Sequence, residues 1–149
     1  MQPLIHLKYA GILCLMAGSA LADGHTSTRG DAAIGEHQFN RQCGACHVVR
    51  NDAGEILAGR NSRPGPNLIS LAGRRAASRN DALYGDSLAA VGEAGLVWTQ
   101  DAFVAYVQDP TGWLRETLQD RRARSKMSYR VRQEDEAYDL YAFLASTGQ

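Results

Sequence analysis

Two cysteines and a histidine stand together in the segment Cys43-Gly44-Ala45-Cys46-His47. Two thiols at this spacing lie about one helical turn apart, so each can add to one vinyl group of the same haem, and the adjoining imidazole can bind the iron. No second cysteine pair follows that would complete a four-ligand zinc site. A thiol–disulfide site built on Cys-x-x-Cys is the main alternative. The motif therefore predicts a covalently attached c-type haem.

A six-coordinate haem iron needs a second axial ligand, and three residues after position 22 are candidates: His25, His37 and Met127. His25 belongs to a polar start of the chain, and His37 lies only ten residues before His47. Met127 is in an irregular stretch that can fold over the far side of the ring, although methionine also serves widely as an apolar filler. We expect Met127 to be the ligand.

The first 22 residues have the three parts of a secretory leader: a start with Lys8, an apolar run from Tyr9 to Ala17, and the small-x-small site Ala20-Leu21-Ala22. The apolar run is too short to span a bilayer as a helix. We therefore expect a cleaved signal peptide at residues 1–22, export of a soluble protein, no membrane span, and one domain at residues 23–149. An uncleaved anchor is the minor alternative.

Charge is nearly balanced but unevenly distributed. Lys8 is the only charged residue among the first 22, so the remainder has 15 basic and 16 acidic residues, and the overall charge gives no sign of a nucleic-acid or membrane partner. Six basic residues and no acidic one fall within positions 121–132. They are Arg121, Arg122, Arg124, Lys126, Arg130 and Arg132. Such a chain has a dipole, and the basic cluster is either a docking face or a solvated charge run.

The pattern of apolar residues, caps and breakers predicts an all-α fold of about five helices and long loops. The helices are expected from Asp31 to the haem motif, from Asp86 or Ser87 to Val91, from Thr99 to Asp109, from Thr111 to Leu118, and from about Gln133 to Ser146. The stretch from Val48 to Pro66 reads as a long loop wrapped around the cofactor. No stretch alternates with period two, so no strand is predicted.

The ordered motifs of the chain resemble those of class I c-type cytochromes, and in particular the larger bacterial members of the cytochrome c2 group. The resemblance runs through nearly the whole chain after the leader. The matching pieces are Gly35-x-x-x-Phe39, Cys43-x-x-Cys46-His47, Gly65-Pro66-Asn67-Leu68, Gly73-Arg74, Tyr84-x-x-Ser87, Gly95-Leu96-x-Trp98, Tyr106-x-x-x-Pro110, Lys126-Met127-x-Tyr129 and a closing helix with Leu140, Phe143 and Leu144.

This resemblance implies a role for individual residues around one haem. Cys43 and Cys46 would form the thioethers, His47 and Met127 would be the axial ligands, and the Pro66 carbonyl would accept the other ring N–H of His47.

The resemblance also assigns residues at the edge of the haem and in the core. Arg74, Tyr84 and Trp98 would bond the haem propionates, and the Tyr106 hydroxyl would lie near the methionine sulfur. Gly35 would lie where the first and last helices cross. From the residues alone, the three aromatic side chains could equally be core residues, and Arg74 a surface charge.

Two axial ligands leave no open coordination position, and no acid–base pair or nucleophile is evident beside the motif, so we expect an electron carrier and not an enzyme. By resemblance, the carrier is a soluble periplasmic monomer that takes electrons from the membrane quinol–cytochrome c oxidoreductase. It would deliver them to a photosynthetic reaction centre, a terminal oxidase or another periplasmic reductase, with the basic cluster at positions 121–132 as its docking face. A haem enzyme or gas sensor with a labile sixth ligand is the alternative.

Overall fold

The computed structural model describes residues 29–60, 64–80 and 82–148 of the chain. Five α-helices and two short strands lie within these ranges, and a π-helical turn continues the first helix. The elements are α1 (Ala32–Gln38), the π-turn (Phe39–Cys43), β1 (Val48–Arg50), β2 (Ile56–Gly59), α2 (Asp86–Glu93), α3 (Gln100–Gln108), α4 (Pro110–Leu118) and α5 (Glu134–Ser146). The prediction of a mainly helical chain with long loops is confirmed.

The stretch from Val48 to Pro66, predicted to be loop throughout, contains a hairpin instead. β1 and β2 pair antiparallel, with Val48 opposite Gly59 and Val49 opposite Ala58. The sequence hides the second strand because its apolar side chains do not alternate: Ile56 and Leu57 are adjacent and both are exposed. The prediction that the chain has no strands was wrong in this segment.

The crossing of α1 and α5 depends on Gly35. A Cβ atom built at this position would collide with the backbone carbonyl of Asp139 and lie 2.9 Å from Cβ of Phe143. About one helical turn after Gly35, the ring of Phe39 packs against that of Phe143 with their centroids 5.6 Å apart. Glycine at position 35 thus lets the two helix backbones approach closely, which explains a residue that otherwise weakens a helix.

The junction of α3 and α4 uses Asp109 and Pro110 in two ways. Asp109 ends α3, and its carboxylate accepts a hydrogen bond of 3.1 Å from the backbone N–H of Gly112, which caps α4. Pro110 is the first residue of α4, where a missing N–H costs no helical hydrogen bond. The predicted end of α3 is therefore also the start of the next helix.

The apolar core lies between α1, α3 and α5 and extends around a cavity. Its largest fully buried side chains include Phe39, Leu114, Leu140 and Leu144. No helix in the described ranges is long and apolar enough to cross a bilayer. The predicted signal peptide at residues 1–22 lies outside the described residues and stays a prediction.

Substituting Gly35 tests the helix crossing. Gly35→Ala places a methyl group against the Asp139 carbonyl, so we expect the helices to separate and the free energy of unfolding to fall by about 1–3 kcal/mol. Denaturant titration of the holoprotein measures this loss. Glu36→Ala, on the exposed side of α1, is the control and should change the free energy by no more than about 0.5 kcal/mol. Equal stability of the two variants would contradict the role given to Gly35.

Candidate functional site

A cavity of about 380 Å³ lies between the π-turn, the segment 64–75 and the loop after α4. This volume is within the range of small-molecule and cofactor sites. All nine residues predicted for the site line it: Cys43, Cys46, His47, Pro66, Arg74, Tyr84, Trp98, Tyr106 and Met127. Apolar side chains from distant parts of the chain complete the wall, among them Leu68, Leu71, Leu88 and Phe103.

The end of the first helix delivers the two thiols and the imidazole to this cavity. The wider π-turn closes with a hydrogen bond of 2.8 Å from the N–H of Gly44 to the carbonyl of Phe39. The N–H groups of Cys46 and His47 then both bond the carbonyl of Cys43, at 3.0 and 2.9 Å. Turns with π geometry are common at functional sites because they redirect side chains within a helix.

The orientation of His47 is set by a backbone carbonyl. Nδ1 of the imidazole lies 3.0 Å from the carbonyl oxygen of Pro66, and because a carbonyl can only accept, Nδ1 must be the protonated nitrogen. Nε2 then has a free lone pair, the form that a metal ion binds. Burial lowers the pKa of His47, and the bond to Pro66 opposes this shift in part. A neutral imidazole with a fixed tautomer results.

Gly65 allows this contact to form. A Cβ atom at position 65 would overlap the imidazole of His47, so the chain can pass over the ring only with glycine there. The backbone N–H of Gly65 also donates to the carbonyl of Cys46 at 2.9 Å. The segment Gly65–Pro66 is thereby held against the histidine from two directions.

Asn67 fixes the same segment to the hairpin. Its side-chain oxygen accepts from the N–H groups of Arg50 and Ile69, at 3.0 and 3.1 Å, and its amide donates to the carbonyl of Arg50 at 2.8 Å. The N–H of Leu68 bonds the carbonyl of Val48 at 2.8 Å. The hairpin that sequence reasoning missed is therefore the support for the Pro66 carbonyl.

The environment of Cys43 disfavours its use as an attacking thiol. Burial, reinforced by the neighbouring Cys46, raises the pKa of Cys43 from 9.0 to about 12. Catalytic thiols of oxidoreductases have lowered pKa values, since the thiolate is the reactive form. Among the described residues, no group of three or more His, Cys, Asp and Glu side chains is placed to hold a metal ion either.

Arg74 and Trp98 are brought to the cavity by paired backbone segments. The backbone N–H of Trp98 donates to the carbonyl of Arg74 at 2.9 Å, and the backbone N–H of Gly73 donates to the carbonyl of Trp98 at 2.9 Å. The guanidinium of Arg74 donates to the carbonyls of Ile69 and Asn67. A positive charge is thus held at one side of the cavity, which both Arg74 and Trp98 line.

Ser125 links Tyr106 to Met127, a connection that the sequence did not reveal. The Ser125 hydroxyl lies 3.1 Å from the hydroxyl of Tyr106 and accepts a hydrogen bond of 3.1 Å from the backbone N–H of Met127. Burial raises the pKa of Tyr106, and the bond to Ser125 opposes part of that shift. Tyr106 also packs in an aromatic cluster, 5.2 Å from Trp98 and 5.4 Å from Trp113 between ring centroids. A neutral phenol therefore supports the loop that carries Met127.

All six basic residues of positions 121–132 are exposed. Arg130 pairs with Asp109 at 2.8 Å and Arg122 with Asp120 at 3.7 Å. The other four form no ion pair with a carboxylate of the described residues, and two of them, Arg124 and Lys126, line the cavity. Unneutralised positive charge therefore reaches the rim of the cavity.

The donor set and the lining of the cavity fit a covalently attached haem. Two thiols and a neutral imidazole come from one turn, a thioether comes from a second segment, and the remaining wall is mainly apolar with a guanidinium at one side. A haem needs each of these: vinyl partners, axial ligands, an apolar surround for the ring and a cation for its propionates. The residues present meet these needs.

The comparisons with known proteins agree with this geometry. The chain is 56% identical over 119 residues to cytochrome c2 of Rhodovulum adriaticum, which covers 80% of this chain and 94% of that protein. It is 40% identical over 136 residues to cytochrome c2 of Cereibacter sphaeroides, which covers 91% of this chain and 90% of that protein. The structure of cytochrome c2 from Rhodobacter sphaeroides superimposes with a TM-score of 0.76 at 38% identity, over 80% of this chain and 97% of that one.

No protein-family model matches the chain. The identities to full-length relatives nevertheless far exceed those of chance similarity, and they extend over most of both sequences. They confirm the class I fold, the covalent haem c and the absence of enzyme activity expected from the motifs. The chain belongs to the cytochrome c2 family, electron carriers with one covalently bound haem c.

Proposed function

We propose that Cys43 and Cys46 form the thioethers to the haem and that His47 and Met127 bind its iron axially. The observation that carries the proposal is the hydrogen bond from His47 Nδ1 to the Pro66 carbonyl, which leaves Nε2 free as a ligand at the wall of the cavity. Met127 lines the same cavity in a loop attached to Tyr106 through Ser125.

Arg74, Tyr84 and Trp98 are proposed to bind the propionates. All three line the cavity, and Arg74 and Trp98 are joined by a backbone hydrogen bond of 2.9 Å. A guanidinium held in position by backbone carbonyls can satisfy carboxylates that are taken out of bulk water. Tyr106 is proposed to support the Met127 side of the ring through Ser125.

A haem iron with imidazole and thioether ligands changes between ferrous and ferric states, and the thioether favours the ferrous form. The residues that line the cavity would hold the two ligands in place and keep water from the ring, so little would have to move when an electron enters or leaves. Two bound side chains would leave no position for a substrate. This arrangement suits outer-sphere electron transfer.

The partners and the location are proposed from the family and the charge distribution. The leader at residues 1–22 would direct the chain to the periplasm, where it would act as a monomeric shuttle. Its donor would be the membrane quinol–cytochrome c oxidoreductase, and its acceptor a photosynthetic reaction centre, a terminal oxidase or a periplasmic reductase. The exposed basic residues at the cavity rim would attract acidic surfaces on these partners and give fast, salt-sensitive encounters.

Removing the sulfur of Met127 tests the axial ligand. Met127→Ala should abolish the weak far-red band of methionine-ligated ferric haem, lower the midpoint potential and allow rapid binding of carbon monoxide to the ferrous protein. Absorption spectra and a redox titration measure these changes. Leu88→Ala, which removes a similar apolar volume from the cavity wall, should keep the band. A wild-type protein that itself binds carbon monoxide rapidly at neutral pH would instead favour a haem enzyme or gas sensor.

Ser125→Ala tests the support of the Met127 loop. The change leaves the Tyr106 hydroxyl and the Met127 N–H without their shared partner, so we expect a loss of about 1–3 kcal/mol in the free energy of unfolding. Denaturant titration measures the loss. Ser125→Thr keeps a hydroxyl and should retain most of the stability, and Ser128→Ala, at an exposed serine of the same loop, should have little effect. Equal effects of Ser125→Ala and Ser128→Ala would contradict this assignment.

Charge reversal tests the docking face. Arg124 lines the cavity rim and has no carboxylate partner among the described residues, so Arg124→Glu should slow electron transfer to an acidic redox partner about tenfold or more at low ionic strength. Arg60→Glu makes the same change in net charge at an exposed residue that does not line the cavity. Stopped-flow oxidation at two salt concentrations measures both. If the two variants react equally fast, the docking face lies elsewhere.

A further inference from the structure

The rim of the cavity carries a hydrogen bond that neither the motifs nor the proposed ligands explain. The hydroxyl of Tyr129 donates to the side-chain oxygen of Gln42 at 2.9 Å. Gln42 immediately precedes Cys43, and Tyr129 follows Met127 by two residues. Both Gln42 and Tyr129 line the cavity. The bond thus joins the haem-attachment segment to the loop that carries the proposed distal ligand.

The Gln42 side chain is oriented from behind by α5. Its amide nitrogen donates to Glu136 at 3.3 Å, and the same carboxylate pairs with Arg41 at 3.5 Å. Because the NH₂ group of Gln42 points toward α5, its oxygen points away from that helix and toward Tyr129. The Gln42 oxygen is therefore oriented toward Tyr129 by the bond to α5, and such preorganisation strengthens a hydrogen bond that is exposed to water.

Met127 has different attachments on its two sides. Before it, Ser125 accepts from the Met127 N–H, and the Lys126 ammonium donates to the carbonyl of Leu83 at 3.3 Å. After it, the nearest side-chain hydrogen bond in the described ranges is the one from Tyr129 to Gln42. The loop then reaches the buried Val131, whose N–H bonds the carbonyl of Val107 at 2.9 Å.

We propose that the bond between Tyr129 and Gln42 is a latch that slows the departure of the Met127 thioether from the haem iron. The proposal rests on the ligation by Met127 proposed above. Because Tyr129 is only two residues from Met127, an outward movement of the loop that carries the sulfur away from the iron strains or breaks this bond. Tyr129 and Gln42 are positioning residues: they touch neither the iron nor its ligand and act through the loop.

Imidazole exchange in the ferric holoprotein tests the latch. At high imidazole concentration the observed rate of binding levels off at the rate at which Met127 leaves, so the plateau reports loop opening. An intramolecular hydrogen bond of ordinary strength changes such a rate about three- to tenfold. We expect Tyr129→Phe and Gln42→Leu each to raise the plateau by about this factor. Gln42→Leu also removes the bond to Glu136, so the double variant should match Gln42→Leu and not exceed it, because Tyr129 then has no bond left to lose.

Tyr138→Phe is the matched control. Tyr138 is a half-exposed tyrosine whose ring lies under the Arg29 guanidinium at 4.1 Å, a contact that phenylalanine keeps. Its plateau should equal that of the wild type. The non-additivity of the latch variants is the decisive readout, since a general loosening of the fold would make the two effects add.

Three outcomes would overturn the latch, and they separate it from the proposed ligation. If Met127→Ala keeps the far-red band of the ferric wild type, Met127 is not the ligand, and both proposals fail. If the wild type reaches a plateau that Tyr129→Phe and Gln42→Leu leave unchanged, the ligation stands and the latch fails. If the two single effects multiply in the double variant, the residues act separately, and the latch again fails.

Discussion

The hydrogen bond from His47 to the Pro66 carbonyl is the interaction on which the arrangement of the site depends. A buried imidazole loses the solvation of its charged form, so it stays neutral, and its single N–H must find an acceptor. The Pro66 carbonyl satisfies that N–H and at the same time determines which nitrogen can bind iron. Gly65 then has to be glycine, because the chain can approach the ring only where no Cβ intervenes. The need of the His47 N–H for an acceptor thus determines where the segment Gly65–Pro66 passes over the ring.

Most of the cavity wall is loop, and the loops are held by side chains that bond to backbone. The Asn67 side chain bonds the backbone N–H and carbonyl of Arg50, as a neighbouring strand would. The Ser125 hydroxyl accepts from the N–H of Met127, and the hydroxyl of Tyr141 donates to the carbonyl of Trp98 at 3.1 Å. These bonds satisfy backbone groups that no helix or sheet satisfies. They also fix the segments against one another without a continuous sheet. A site of this kind can be rigid although few of its residues belong to regular elements.

The sequence was most informative where a chemical function and a spacing coincide. The Cys-x-x-Cys-His motif predicted the haem c, which the family confirms, and the caps Asp31 and Thr99 predicted helix starts that the structure contains. The hairpin was missed because Ile56 and Leu57 are both exposed and give no alternating pattern. The bonds of Ser125 and Gln42 could not be predicted, since their partners are 19 and 87 residues away, and nothing in either residue type indicates a distant partner.

The six residues of the basic cluster carry the same charge but make different contacts. Lys126, the only lysine after the leader, packs its stem over Gly85, where a Cβ would lie 3.2 Å from the lysine Cγ, and its ammonium bonds the carbonyl of Leu83. This bond attaches the lysine to the segment before α2 but does not neutralise its charge. Arg130, in contrast, is paired with Asp109. Most of the charge available to the proposed partners therefore comes from Lys126 and from the arginines that have no carboxylate partner among the described residues, Arg121, Arg124 and Arg132. Because a guanidinium is less strongly hydrated than an ammonium, such a face loses water more readily on contact, which suits encounters that must form and separate quickly.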